Sequence, residues 1–239
     1  MDTTLGWGSD VLIWNAVVLT GVSLAVGLLG GFVGLALGTM RLPAMLLMGM
    51  AAPTAGGTNI LVSSISSIFG AIRHIREGRV NFRLVLIMGG PAFAGAFIGG
   101  FLGGRVSGTI LLSADDFVTE YSGKRMILGG GMGLAVGLLG GAVGLILGSI
   151  RLPALIRILK VDPRIAAGTN LFIGFIMGSV GWVGHVVQGQ VSYPLLVLMG
   201  GSAMIGSYYG AKLAGKVSLD TLVGVMGVVM LAVGALLVW

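Results

Sequence analysis

Cysteine is absent from this chain, and charged residues fill only 9% of its 239 positions. The first absence excludes disulfides, thiolate metal sites and thiol redox chemistry. The second stands against 56% hydrophobic residues and a mean hydropathy of +1.04, and it excludes a soluble globule, since too few polar side chains are left to cover a wet surface. Aspartate and glutamate are missing from every long apolar run, which disfavours transport through a carboxylate relay. No G-x-S-x-G or HExxH motif occurs, and the glycine runs lack the flanking strand of a phosphate loop, so no enzyme, metal or other cofactor is expected. The net charge of +6 does not indicate nucleic acid, because the basic residues occupy short gaps between apolar runs instead of one amphipathic face. The first run has no basic head and is too long for a signal peptide, so it reads as a retained membrane segment.

What the chain does have is glycine, 45 of them, and a repeat. Gly27 to Ala44 and Gly137 to Ala154 differ only at Phe32/Ala142, Ala36/Ile146, Thr39/Ser149 and Met40/Ile150, so 14 of 18 positions are identical. Further matches follow: Gly57-Thr58-Asn59 with Gly168-Thr169-Asn170, His74 with His185, Gly78 with Gly189, and Gly89-Gly90 with Gly200-Gly201. Duplicated hydrophobic halves are a feature of secondary transporters.

Roughly 20 apolar residues cross a bilayer as a helix. Seven stretches pass that ruler: 11–38, 53–72, 84–104, 126–150, 165–187, 191–211 and 221–239. Two shorter pieces, 42–52 and 152–161, each open at Arg-Leu-Pro and read as re-entrant half-helices, proline being suited to a first turn. The fold expected is therefore an all-α polytopic membrane protein of about seven transmembrane helices plus two half-helices. Its first repeat covers 1–112, a linker 113–124, and the second repeat with an additional C-terminal helix 125–239. With the N-terminus inside, inner loops collect Arg73, Arg76, Arg79, Arg83, Arg151, Arg157, Lys160, Arg164, Lys212 and Lys216, against outer Arg41, Arg105, Lys124 and Arg125. Ten against four predicts the N-terminus inside and the C-terminus outside. Three crossings per copy then make the halves inverted repeats.

Several matched residues are candidates for chemistry. Thr58, Asn59, Thr169 and Asn170 offer neutral hydrogen-bonding groups near helix starts, suited to an anion that must bind and leave, although such residues also cap and glue helices. Arg41 and Arg151 could draw an anion in, or could snorkel to headgroups. Gly38 and Gly148, with Pro43 and Pro153 five residues on, mark the expected break between span and half-helix. His74 and His185 could carry a proton or simply sit at an interface. Glycines four apart, such as Gly27 and Gly31, suit close helix packing in lipid.

The two motifs together resemble the TauE/SafE sulfite exporter family, the TSUP permeases. The resemblance rests on the Gly-Leu-Leu-Gly-Gly segments from Gly27 to Pro43 and from Gly137 to Pro153, followed by Gly57-Thr58-Asn59 and Ala167-Gly168-Thr169-Asn170-Leu171. It covers nearly the whole chain in both halves. This sequence departs from the family pattern where a triple glycine becomes Leu37-Gly38 and Leu147-Gly148, and where serine after threonine becomes Asn59 and Asn170. The resemblance implies an exporter or permease for sulfite or related sulfur-containing anions and organosulfonates in the bacterial cytoplasmic membrane. It would work by alternating access around a central site between the repeats, with the small anion and the lipid bilayer as partners. A passive anion or solute channel and a non-transporting membrane subunit are the alternatives.

Overall fold

The computed structural model describes residues 4–6, 9–101, 148–218, 220–225, 227–228 and 231. The expected linker, nearly all of span 126–150 and most of span 221–239 lie outside the described residues. A short antiparallel ribbon, β1 (Thr4–Gly6) and β2 (Ser9–Leu12), precedes a series of helices. These are α1 (Ile13–Val33), α2 (Gly38–Leu47), α3 (Ala52–Arg76), α4 (Phe82–Leu84), α5 (Gly90–Phe101), α6 (Gly148–Pro153), α7 (Pro163–Val187) and α8 (Tyr193–Ala214). Four helical stretches among the described residues, Ile13–Val33, Ala52–Arg76, Phe82–Gly99 and Pro163–Val187, are long and apolar enough to cross a membrane.

The matched helices α3 and α7 form the axis of the molecule. Each has 25 residues, about 37 Å at 1.5 Å per residue, and each takes proline in its first turn, where no N–H is missed. They cross at their midpoints: the Ser64 hydroxyl donates to the Phe175 carbonyl at 2.9 Å, and both are the thirteenth residue of their helix. They run antiparallel, because a Cβ on Gly168 near the start of α7 would strike His74 near the end of α3, and one on Gly57 would strike His185 in the same way. Both helices close with the same turn. Arg79 N–H donates to His74 O at 2.8 Å and Gln190 N–H to His185 O at 2.9 Å, around Gly78 and Gly189 at φ 69° and 68°. The turn after α3 makes a basic end of the molecule and the turn after α7 an amide end.

Partners are exchanged between the halves. α8 packs on α1 and α3, and α5 packs on α7. On the α1–α8 face a side chain at Gly27, Gly31, Gly206 or Gly210 would run into the opposing backbone, so glycine lets the two helices approach closely, as lipid-embedded helices require. Pro91 stands where α8 has Ser202. Just before Pro91 the helix widens to a π turn, Val85–Gly89, whereas α8 continues unbroken for 22 residues.

The path of α1 and α2 differs from the expected span followed by a half-helix opening at Arg-Leu-Pro. α1 ends at Val33 on Gly34, which is left-handed at φ 80°, and α2 begins at Gly38. Pro43 therefore lies inside α2, and Pro153 at the end of α6, directly before a second π turn at Ala154–Ile158. After the break the chain returns: Asn15 Nδ2 donates to Met48 O at 3.4 Å, and Ala16, Leu19, Met45, Ala55 and Leu195 share one apolar cluster. Thus α1 and α2 form a hairpin: α1 runs from the amide end to the neighbourhood of His74 and Ala167, and α2 turns back so that its end lies beside the start of α1. The expected orientation put the start of the first span on the same side as the loop containing Arg73 to Arg83; in the structure the start of α1 lies at the opposite end from that loop. Hydropathy could not show this, because α1 has the length of a crossing.

Candidate functional site

Two asparagine–arginine clusters hold the helix break in place. In the first, Asn59 Nδ2 donates to Gly38 O at 3.2 Å, while its Oδ1 accepts from Arg41 Nη1 at 3.3 Å. The same Arg41 nitrogen donates to Ser63 Oγ at 3.1 Å, one turn along α3. In the second, Asn170 Nδ2 donates to Gly148 O at 3.3 Å and to Gly34 O at 2.7 Å, and its Oδ1 accepts from Arg151 Nε at 2.8 Å. Arg151 Nη1 then reaches Met177 Sδ at 2.8 Å, a thioether that is only a weak acceptor. The carbonyls of Gly34 and Gly38 are four residues apart, so the chain between them spans at most about 14 Å. The clusters therefore flank one short stretch, Leu35 to Leu37, beside the crossing of α3 and α7.

The candidates from sequence fall into separate places. Thr58 and Thr169 have backbone partners. Their Oγ1 atoms accept from Ser192 N–H at 2.9 Å and Asn81 N–H at 3.0 Å, tying each helix start to the loop after the other matched helix. Arg41 and Arg151 lie in helices α2 and α6, not in loops, and are 1% and 5% exposed. Gly38 and Gly148 begin α2 and α6 and supply the carbonyls that the asparagines bind. His185 Nδ1 pairs with Gln190 Oε1 at 2.8 Å. His74 is fully buried against the Gly31 backbone, and neither ring nitrogen makes a well-formed hydrogen bond among the described residues.

Sequence reasoning missed two participants. Ser63 and Met177 lack repeated counterparts, Gly174 and Ser66 standing at those positions, so a search for duplicated residues passes over them. Gly34 was legible as a repeated glycine, but the demand on it comes from Ala167 in the other half, whose backbone a Cβ would strike.

The site's electrostatics are one-sided. Neither Arg41 nor Arg151 pairs with a carboxylate among the described residues, and Arg41 Nε and Arg151 Nη2 are buried without a hydrogen-bond partner. Burying a guanidinium in a low-dielectric interior costs several kcal/mol unless an opposite charge joins it. The arrangement is suited to receive an anion.

Long apolar helices packed around buried cations are the build of a multi-pass membrane protein. The sequence profile described as "Sulfite exporter TauE/SafE" matches residues 19–114 and again 114–237, and the chain belongs to this family of membrane transporters. Two similar proteins come from Bacillus subtilis (strain 168). "Probable membrane transporter protein YunE" is 28% identical over 133 residues, 55% of this chain and 49% of that protein. "Probable membrane transporter protein YdhB" is 26% identical over 185 residues, 66% of this chain and 74% of that protein. The chain therefore spans about half the length of the first and about three quarters of the second. No solved structure matches.

Proposed function

We propose that this chain is a secondary carrier of small anions, with sulfite or a related sulfur oxyanion or organosulfonate as its substrate, working by alternating access between two inverted halves in the bacterial cytoplasmic membrane. The observation that carries this reading is the pair of buried guanidiniums lacking a carboxylate partner among the described residues. On it, Arg41 and Arg151 bind the charge, Asn59 and Asn170 position them, and Thr58 and Thr169 fix the helix starts. Gly38, Gly148, Pro43 and Pro153 shape the segments that carry the arginines. Reciprocal contacts of α3 and α7 support inversion, since matched atoms meet matched atoms across one crossing. Basic side chains gather at the end holding Arg73, Arg79, Arg164 and Lys216, and charge bias supports a cytoplasmic position for it. The start of α1 then faces outside, the reverse of the orientation expected from counting spans.

Counterflow of labelled sulfite into proteoliposomes tests the reading. A carrier shows saturable uptake that is stimulated by unlabelled sulfite inside the vesicle. Flux proportional to concentration, without stimulation, would identify a passive pathway and refute the carrier. An imposed pH gradient in the same vesicles tests His74 and His185 as proton carriers: the gradient drives accumulation in the wild type and fails to do so when both are glutamine. Accumulation by the double variant would remove them from the coupling.

A further inference from the structure

We propose that the basic end holds a second oxyanion site, formed by Arg73, Arg79 and Arg164, which Glu77 occupies from within the protein until an external anion displaces it. Glu77 bridges two guanidiniums, one oxygen to each: Oε1 lies 2.5 Å from Arg73 Nη2, and Oε2 accepts from Arg79 Nη2. A two-oxygen anion is therefore already accommodated there. Arg73 and Arg79 share the single carboxylate of Glu77 and Arg164 repels Arg79, so positive charge is in excess within the cluster, while Asp162 accepts from the backbone of Arg164 beside it.

Arg79 is not an ordinary surface cation. It is 8% exposed, yet its Nε and Nη1 have no partner, and the Nε atoms of Arg73 and Arg164 are likewise buried and unpartnered. Its remaining nitrogen reaches Ala211 O at 3.4 Å, and Arg164 Nη2 donates to Val217 O at 2.7 Å, so both guanidiniums are held around the end of α8. Gly215 completes the wall: a Cβ there would stand 2.9 Å from Glu77 Oε2 and 3.3 Å from Arg79 Nη2. Burial lowers the Arg79 pKa, Glu77 opposes that shift, and repulsion from Arg164 and Arg73 adds to it. Those are the influences expected of a cation short of counter-charge.

The second half supplies an internal control. At the amide end the positions matching Arg73, Glu77 and Arg79 are Gly184, Gln188 and Gln190, and the turn is built just as well without charge. There Gln190 Nε2 donates to Gln188 Oε1 at 3.3 Å, in place of the ion pair. The fold of the turn thus does not require these arginines, and a topology signal does not require that one of them be buried.

The shared chemistry is an oxyanion, which comes either from solution or from the phosphate of a lipid headgroup. Sulfite titrated by calorimetry into protein in zwitterionic nanodiscs tests the first source, and native mass spectrometry of retained phosphatidylglycerol tests the second. Glu77→Gln removes the internal competitor and is expected to tighten the relevant ligand at least tenfold; Arg73→Gln and Arg79→Gln are expected to weaken it at least tenfold. Because a gain of binding cannot come from misfolding, Glu77→Gln protects the test if Arg79→Gln fails to fold. A response only to sulfite assigns a solution anion, and one only to phosphatidylglycerol assigns a lipid. If Glu77→Gln and Arg73→Gln change neither, there is no such site. The site stands on this cluster alone: binding of this pattern without sulfite flux would leave it intact, and flux without the pattern would remove it while sparing the carrier.

Discussion

Gly34→Ala is expected to remove most of the folded protein from detergent extracts, although it adds one methyl group. Two effects combine. An alanine at φ 80° costs about 1 kcal/mol from left-handed backbone alone. The added Cβ would also overlap both Cβ and Cα of Ala167, and overpacking of this kind adds roughly 1–3 kcal/mol or more, because a backbone atom cannot rotate away. A total of about 2–4 kcal/mol is a large share of the roughly 5–15 kcal/mol that holds a typical domain together. Gly49 separates the two effects: it has φ 83° with nothing within 4 Å of a built Cβ, so Gly49→Ala should lose only about 1 kcal/mol. Ala167→Gly should rescue Gly34→Ala in part, since it removes one of the overlapping atoms. The measurement is the monodisperse fraction on size-exclusion chromatography. Equal yields for the two alanine variants would show that the contact between break and α7 is not formed.

The second large effect separates stability from transport. Arg41→Gln and Arg151→Gln each remove a buried charge while keeping a side chain able to donate to Asn59 or Asn170. If the guanidiniums await an anion, losing the charge relieves a desolvation penalty of several kcal/mol, and thermal stability without substrate should hold or rise. A charge-assisted contact with substrate is worth about 1.5–3 kcal/mol, so sulfite counterflow should fall by about 10- to 100-fold for either variant. Arg→Lys keeps charge but not the fork, and should recover little. Lower stability with surviving counterflow would instead make both arginines structural.

How much of this was legible in the sequence depends on whether a feature is local. The Gly-Thr-Asn triplets, the matched arginines and the glycine faces are contiguous or periodic, and the repeat exposed them without a structure. The break was placed near Gly38 and Pro43 because proline is conspicuous, yet the left-handed residue is Gly34, whose constraint is set by Ala167, 133 positions away. Composition does not reveal the partners of these residues: the threonine hydroxyls accept from backbone N–H groups of distant loops, and the asparagine amides donate to carbonyls at the breaks. The return of the chain after α1 is non-local in the same way: the 21 apolar residues of α1 have the length of a crossing, and only the contact of Asn15 with Met48 shows that α2 ends beside the start of α1.

Inversion of the halves is the claim on which the carrier rests, and the missing cysteines make it directly measurable, since no native thiol must first be removed. Arg76 and Val187 occupy matched exposed positions at the ends of α3 and α7, and Trp14 is exposed at the start of α1. Single cysteines there, labelled in intact cells with a membrane-impermeant maleimide, should react at Val187→Cys and Trp14→Cys and stay protected at Arg76→Cys until the membrane is opened. Labelling of Arg76→Cys and Val187→Cys from the same side would contradict the inverted arrangement.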